Sequence, residues 1–202
     1  MSGPRIAVID CGVGNLRSIA SALRRVGAEP SFVRKSEEAT NFDGIILPGV
    51  GAFRSAFESI DPQPLLKGIN GGIPVLGICL GLQMLFSSSE EGGGTIKGLE
   101  VMKGTVRRIR LAPKLPHIGW NTISIAKESP LLEGIANGSF FYFVHSYACL
   151  DVDADYCSAV TDYGQKFVSV ATRGSVFGTQ FHPEKSGIMG LKVLLNFTEV
   201  AR

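Results

Sequence analysis

The chain has 202 residues, 45% of them hydrophobic and 19% charged, with a formal net charge of +2. That much apolar material excludes a disordered chain, and the near balance of charge gives no global field towards nucleic acid or a membrane surface. The length fits one domain spanning 1–202.

The opening MSGPRIAVIDCG lacks the charged start and long apolar stretch of a signal peptide. The greasiest region, 73–86, is broken by glycines and Gln83 and is too short to span a bilayer. Cys11, Cys79, Cys149 and Cys157 form no CxxC pair and no dense framework, so a reducing compartment, the cytosol, is expected.

Taken along the chain, 5–10 (RIAVID) reads as a buried strand that ends in the tight turn CGVGN. Leu16, Ile19, Ala20 and Leu23 then repeat at helical spacing, with Asn15 placed to cap and Gly27 to stop. The runs 44–47 (GIIL) and 73–78 (IPVLGI) are two further strands, each followed by a glycine-bearing turn and a helical pattern. Strands alternating with helices imply parallel pairing, with the ligand crevice beyond the carboxyl ends of the strands. Residues 90–94 (EEGGG) form the expected flexible loop. The second half carries closely spaced strand-like runs at 105–110, 120–125, 140–150, 156–161, 167–171 and 175–181, read as mostly antiparallel hairpins. A terminal helix over 187–200 places Ile188, Leu191 and Leu195 on one face. There is no Pro- or Ser-rich linker and no internal repeat.

Gly77-Ile78-Cys79-Leu80-Gly81 follows a strand and opens a helix. This is the nucleophile-elbow pattern, with Cys in the place of Ser. The bracketing glycines allow a sharp turn, the helix N-terminus favours a thiolate, and the Leu80 N–H would face a developing oxyanion. The plainer alternative is a structural Cys in a glycine-rich turn. The other half of the chemistry is His182-Pro183-Glu184. Residues i and i+2 share a face of an extended segment, so Glu184 can orient His182 as base and acid. His117 and His145, the other histidines, have no carboxylate at such spacing. Alone, HPE could be a surface turn; together with the elbow it is a triad. Leu47-Pro48-Gly49-Val50-Gly51 is either an ordinary turn or, beside the elbow, a second wall of the oxyanion site. CGVGN lacks the GxGxxG spacing of a dinucleotide loop and is read as a structural or partner-facing turn. For Phe141 and Phe143 core packing is preferred. Arg107, Arg108 and Arg110 fit a solvated strand edge as well as a partner-facing patch.

GICLGLQ (77–83), PGVGAF (48–53) and HPE (182–184) together resemble the class I, triad-type glutamine amidotransferases over the whole chain. PHIGWN, FYFVHSY, IDCGVGNLRS, the SSEEGGG stretch and FHPEKSG narrow the resemblance to glutaminase subunits of imidazole glycerol phosphate synthase. That family often has Met where Leu82 stands and Tyr where Cys11 stands; neither change touches a catalytic position. The resemblance implies a flavodoxin-like α/β fold: a mixed, mostly parallel central sheet flanked by helices, plus an antiparallel sheet in the second half. It implies hydrolysis of L-glutamine to glutamate and ammonia, without metal or cofactor. The ammonia would pass to a (β/α)₈-barrel cyclase that makes imidazole glycerol phosphate and aminoimidazole carboxamide ribotide in histidine biosynthesis. No barrel-sized stretch follows the terminal helix, so the cyclase is expected to be a separate chain. By the same resemblance Cys79, His182 and Glu184 are the triad, and Val50 and Leu80 supply oxyanion N–H groups. Gly51, Gln83, Ser146 and Tyr147 hold glutamine, and His117, Trp120, Asn121 and Lys185 face the partner. The rival readings are another triad glutaminase, such as that of vitamin B6 synthesis, and a non-enzymatic interaction module.

Overall fold

The structure, a computed structural model, describes residues 3–12, 15–49 and 51–202. The first half runs β1 (Arg5–Ile9), α1 (Leu16–Arg25), β2 (Glu29–Val33), α2 (Ser36–Ala39), β3 (Gly44–Leu47), α3 (Phe53–Glu58) and α4 (Pro62–Asn70). It continues through β4 (Val75–Ile78), α5 (Leu80–Leu85), β5 (Phe86–Ser89) and β6 (Ile96–Lys97). As expected, the Asn15 side chain caps α1 by accepting from the Ser18 N–H, and Gly27 follows its end at φ +84°. Such a cap satisfies one of the orphan donors of a helix start.

The second half holds β7 (Met102–Arg108), β8 (His117–Thr122), β9 (Ser124–Ile125), β10 (Phe140–His145) and β11 (Tyr147–Val152). After these come β12 (Cys157–Asp162), β13 (Lys166–Arg173), β14 (Val176–Thr179) and α6 (Gly187–Val200). The run expected at 140–150 is therefore two strands, broken at Ser146.

Eight strands form one mixed sheet in the order β2-β1-β3-β4-β14-β13-β12-β9. The pairs from β2 to β14 are parallel and those from β14 outward antiparallel. The two halves of the chain thus share a sheet. The hairpins read in the second half extend the parallel core, because β14 docks parallel on β4. Two smaller sheets stand apart: the antiparallel ribbon β8–β10, and β11-β7-β5-β6, which is antiparallel except where β5 meets β7.

Side chains alternate across a strand, and the core divides accordingly. Ile6, Val8, Ile46 and Leu76 face a cluster with Leu23 of α1 and Val193, Leu194 and Phe197 of α6. Ala7, Ile9, Ile45 and Leu47 face Phe53, Leu65, Leu80 and Met84 of the helices on the other side. Two expectations need correction. The edge strand β2 is unannounced in the sequence, because only one neighbour pairs with it and most of its residues are exposed or half-buried. On α6 the buried stripe is Gly190, Val193, Leu194 and Phe197, whereas Ile188 is 79% exposed and Leu191 half-buried. That helix is apolar on more than one face, and docking against the sheet selects between the two stripes.

The contact that positions the elbow is between backbones. A Cβ on Gly81 would lie 1.7 Å from the Leu47 carbonyl oxygen, and one on Gly77 would lie 2.6 Å from Gly81. Helix α5 packs this closely on β3 and β4 only because both positions are glycine. Gly81→Ala should therefore cost about 3 kcal/mol or more. In contrast Gly94→Ala, where a Cβ meets open space, should stay within about 0.5 kcal/mol. Urea midpoints of the two variants check this.

Candidate active site

Cys79 sits in the turn between β4 and α5 at φ 54°, ψ −103°, a left-handed conformation that non-glycine residues occupy only when their surroundings impose it. Here the surroundings do. The Cys79 N–H donates to Thr179 O of β14 at 2.7 Å, and Cys79 O accepts from the Gln83 N–H at 3.1 Å. The register Ile78↔Thr179 between β4 and β14 brings Cys79 level with the start of the segment Gln180-Phe181-His182.

His182 Nδ1 lies 2.9 Å from Glu184 Oε1, and both side chains are almost fully buried. The pairing is as expected but its geometry differs. His182 is extended, while Pro183–Lys185 is a 3-10 turn, so the turn rather than a continuous strand swings the carboxylate back onto the ring. His182 Nε2 has no hydrogen-bond partner in the resting geometry and remains available. Burial alone would lower the imidazole's pKa, but the nearby Cys79 sulfur and the Glu184 carboxylate outweigh it and raise His182 to about 10. The ring is therefore an imidazolium at neutral pH, with the Cys79 sulfur close by. Burial pushes up the thiols of Cys11, Cys149 and Cys157, Cys149 to about 12.

A cavity of about 310 Å³ opens on Cys79. Gly51, Leu80, Gln83, Ser146 and Tyr147 line it with Glu91, Pro116, Val144 and His145. All four residues expected to hold glutamine therefore line the cavity with Cys79. Gly51 is at φ +99°, and Gly49 lets its loop approach Leu80 so closely that a Cβ would come within 2.6 Å. Val50, the expected second oxyanion donor, lies outside the described residues, as do Val13 and Gly14 of the CGVGN turn. Gln83 is 4% exposed and donates through Nε2 to Tyr147 O at 2.9 Å and to Gln180 Oε1 at 3.2 Å. Glu91, which in the sequence belongs only to a loop, is the one carboxylate in the lining among the described residues, and it accepts from the Phe53 N–H at 2.7 Å. An acidic residue beside a glycine run reads as loop chemistry; only the fold turns it inward.

The partner-facing set divides. The β8–β10 register places Ile118, Trp120, Phe140, Tyr142 and Val144 on one face of the ribbon, and His117, Asn121, Phe141, Phe143 and His145 on the other. Trp120 is exposed, edge-on to Tyr142, and Lys185 lies over the Tyr142 ring. His117, expected to face the partner, is buried on the ribbon face opposite Trp120. The half-buried Asn121 side chain donates to Asp162 O and bonds His117 Nε2. Strand period alone separates His117 from Trp120, since residues three apart lie on opposite faces. His117 stacks on Tyr163 and bonds His145, which bonds Tyr147 O. Burial holds both rings neutral, with pKa values lowered to about 4 and about 3. Phe141 and Phe143 are core, as preferred. Arg107 is ion-paired to Glu90 and Asp151.

The glutamine amidotransferase class-I family model matches residues 7–199. The imidazole glycerol phosphate synthase subunit HisH of Methanosarcina acetivorans is 50% identical over 204 residues, covering 97% of this chain and 98% of its own. That of Methanocaldococcus jannaschii is 49% identical, with 96% and 99% covered. The chain belongs to the HisH family of class-I glutamine amidotransferases. The structure of PurLQS from Thermotoga maritima matches this amidotransferase with a TM-score of 0.77 at 20% identity, covering 99% of this chain and 100% of that one. A solved glutamine amidotransferase gives 0.73 at 21%, covering 97% of this chain and 98% of that one. These two likenesses concern the fold. No helix among the described residues of the amidotransferase is long and apolar enough to cross a membrane.

The charge state of His182 gives a direct test. In an NMR titration the His182 ring should stay protonated past pH 8 and titrate near pH 10. In Cys79→Ala, with the sulfur gone and burial less opposed, its pKa should fall.

Proposed function

We propose that Cys79, His182 and Glu184 hydrolyse L-glutamine to glutamate and ammonia. The reading rests on one observation: a buried Cys with an imidazolium–carboxylate pair close to it opens on a cavity that Gln83 also lines. Glutamine enters with its amino-acid head towards Gln83, Gly51 and the backbone at Ser146 and Tyr147. The Glu91 carboxylate takes the ammonium group. The Cys79 thiolate attacks the side-chain amide carbon, and the oxyanion is held by the Leu80 N–H together with the N–H expected from Val50. His182 gives its proton to the leaving ammonia, then takes one from the water that opens the thioester. Glu184 keeps the ring's Nδ1 occupied, so that Nε2 performs both transfers.

The ammonia is passed to a separate (β/α)₈-barrel cyclase chain, which forms imidazole glycerol phosphate and aminoimidazole carboxamide ribotide. The exposed face of Ile118, Trp120 and Phe140, with Lys185 beside it, suits such a partner. An apolar patch rimmed by charge marks a protein contact. The chain acts as one amidotransferase domain over 1–202, since both core clusters lie against a single sheet. Four free cysteines fit the cytosol.

Mixed with a cyclase, Cys79→Ala should lose glutamine-dependent product by about a thousandfold or more, while product made from added ammonium salt persists. Glutamine turnover that survives the change would refute the assignment. Glu91→Gln should raise KM for glutamine about tenfold with a smaller change in kcat, as expected for a group that binds substrate away from the reacting carbon. Glutaminase activity should be low in the free chain and rise when the cyclase and its ligand bind; equal turnover in both states would remove the coupling from the proposal.

A further inference from the structure

Gln180 has no role in the chemistry described above, yet it touches the reacting sulfur. It follows β14, is completely buried, and its backbone N–H bonds Ser169 O. Its Nε2 lies 3.5 Å from Cys79 Sγ. Its Oε1 accepts from Gln83 Nε2, which also donates to Tyr147 O.

The two ends of an amide have nearly the same shape, so its orientation follows from its partners. Here one fixed group decides. Tyr147 O can only accept, so the Gln83 group facing it is the NH₂. That NH₂ also faces Gln180, whose near end must then be the carbonyl. The far end of Gln180, pointing at Cys79, is therefore a donor. Reversing both amides would set the Gln83 oxygen against the Tyr147 oxygen. The chain of orientations starts at a backbone carbonyl and ends by presenting an N–H to sulfur.

A thiol and a thiolate respond differently to that N–H. As a thiol, Cys79 can donate to Val144 O, 3.8 Å away. As a thiolate it can only accept, and at 6% exposure little water reaches it. A buried anion needs donors from the protein.

We propose that Gln180 is a positioning residue for the nucleophile: its amide N–H holds the Cys79 sulfur in place as the thiolate, and its carbonyl ties that sulfur to Gln83. The inference rests on the glutaminase reading of the site and adds a group to it. If Gln180 merely filled the core, its replacement would change stability and leave the ionisation of Cys79 unmoved.

The test follows alkylation of Cys79 by iodoacetamide against pH, with the Cys79 peptide quantified by mass spectrometry so that the other three cysteines do not contribute. Gln180→Met keeps the length and removes both polar ends. Gln180→Glu keeps an acceptor for Gln83 and replaces the donor, which provides a second arm should the first variant fail to fold. Both should lower the alkylation rate at pH 7 by about ten- to a hundredfold, the effect of one hydrogen bond to a charged group. The rate at high pH, where the sulfur is fully ionised, should match wild type. Glutaminase kcat should fall in parallel, by more than KM changes. A folded variant whose alkylation profile superimposes on that of wild type overturns the proposal. Absence of glutamine hydrolysis by the wild-type chain with its cyclase would instead overturn the function, and the alkylation profiles would still decide the part played by Gln180.

Discussion

The parallel pairing of β4 with β14 is the constraint on which the site depends. Four register pairs, Val75↔Val176 to Ile78↔Thr179, join segments about a hundred residues apart, and the ladder closes with the Cys79 N–H on Thr179 O. Each strand leaves the sheet at the same level. One turns sharply into α5 and presents the sulfur; the other continues through Gln180 to His182. Cys79 and His182 are thus placed by a shared backbone ladder, and side chains only refine the geometry. The crevice at the carboxyl ends of parallel strands is where such sheets place their ligands.

Tight packing then keeps the elbow from relaxing. Left-handed backbone at a cysteine costs on the order of 1–3 kcal/mol, and it persists because the turn is held on three sides. Thr179 O takes its N–H, the Gln83 N–H takes its carbonyl, and α5 lies against the Leu47 carbonyl with no room for a Cβ at Gly81. The ribbon β8–β10 completes the enclosure. It supplies Val144 and His145 to the cavity wall, and Tyr142 O receives the His182 N–H.

Sequence is most legible where local chemistry determines structure. A glycine-bracketed Cys after an apolar run permits few conformations, and Asn15 ahead of a helical repeat caps the helix it announces. His182 and Glu184 do pair, although by a turn and not by strand alternation. Legibility fails where the third dimension chooses. Strand β2 has one sheet neighbour, so EPSFV carries no apolar pattern to recognise. Helix α6 carries two apolar stripes, and only docking distinguishes them. Glu91 looks like a loop residue and Gln180 like the end of a strand, because each acquires its meaning from atoms far away along the chain. The burial of His117 is of a different kind, since period two already sets it on the face opposite Trp120.

The burial of these groups also bears on the entropy of catalysis. Cys79, Gln83, Gln180 and His182 are each between 0% and 6% exposed, so their rotamer freedom was given up when the chain folded. A surface-mounted triad would have to freeze several torsions each time a substrate arrived, at about 0.5–1.5 kcal/mol for every flexible side chain immobilised. Here that loss is incurred once, during folding, and not in each turnover. Helix α5 has only six residues, too few to hold its own shape in water, so the fixed position of the sulfur belongs to the sheet. A long-lived framework of strands thereby lends its rigidity to a group that must act within each brief encounter with substrate.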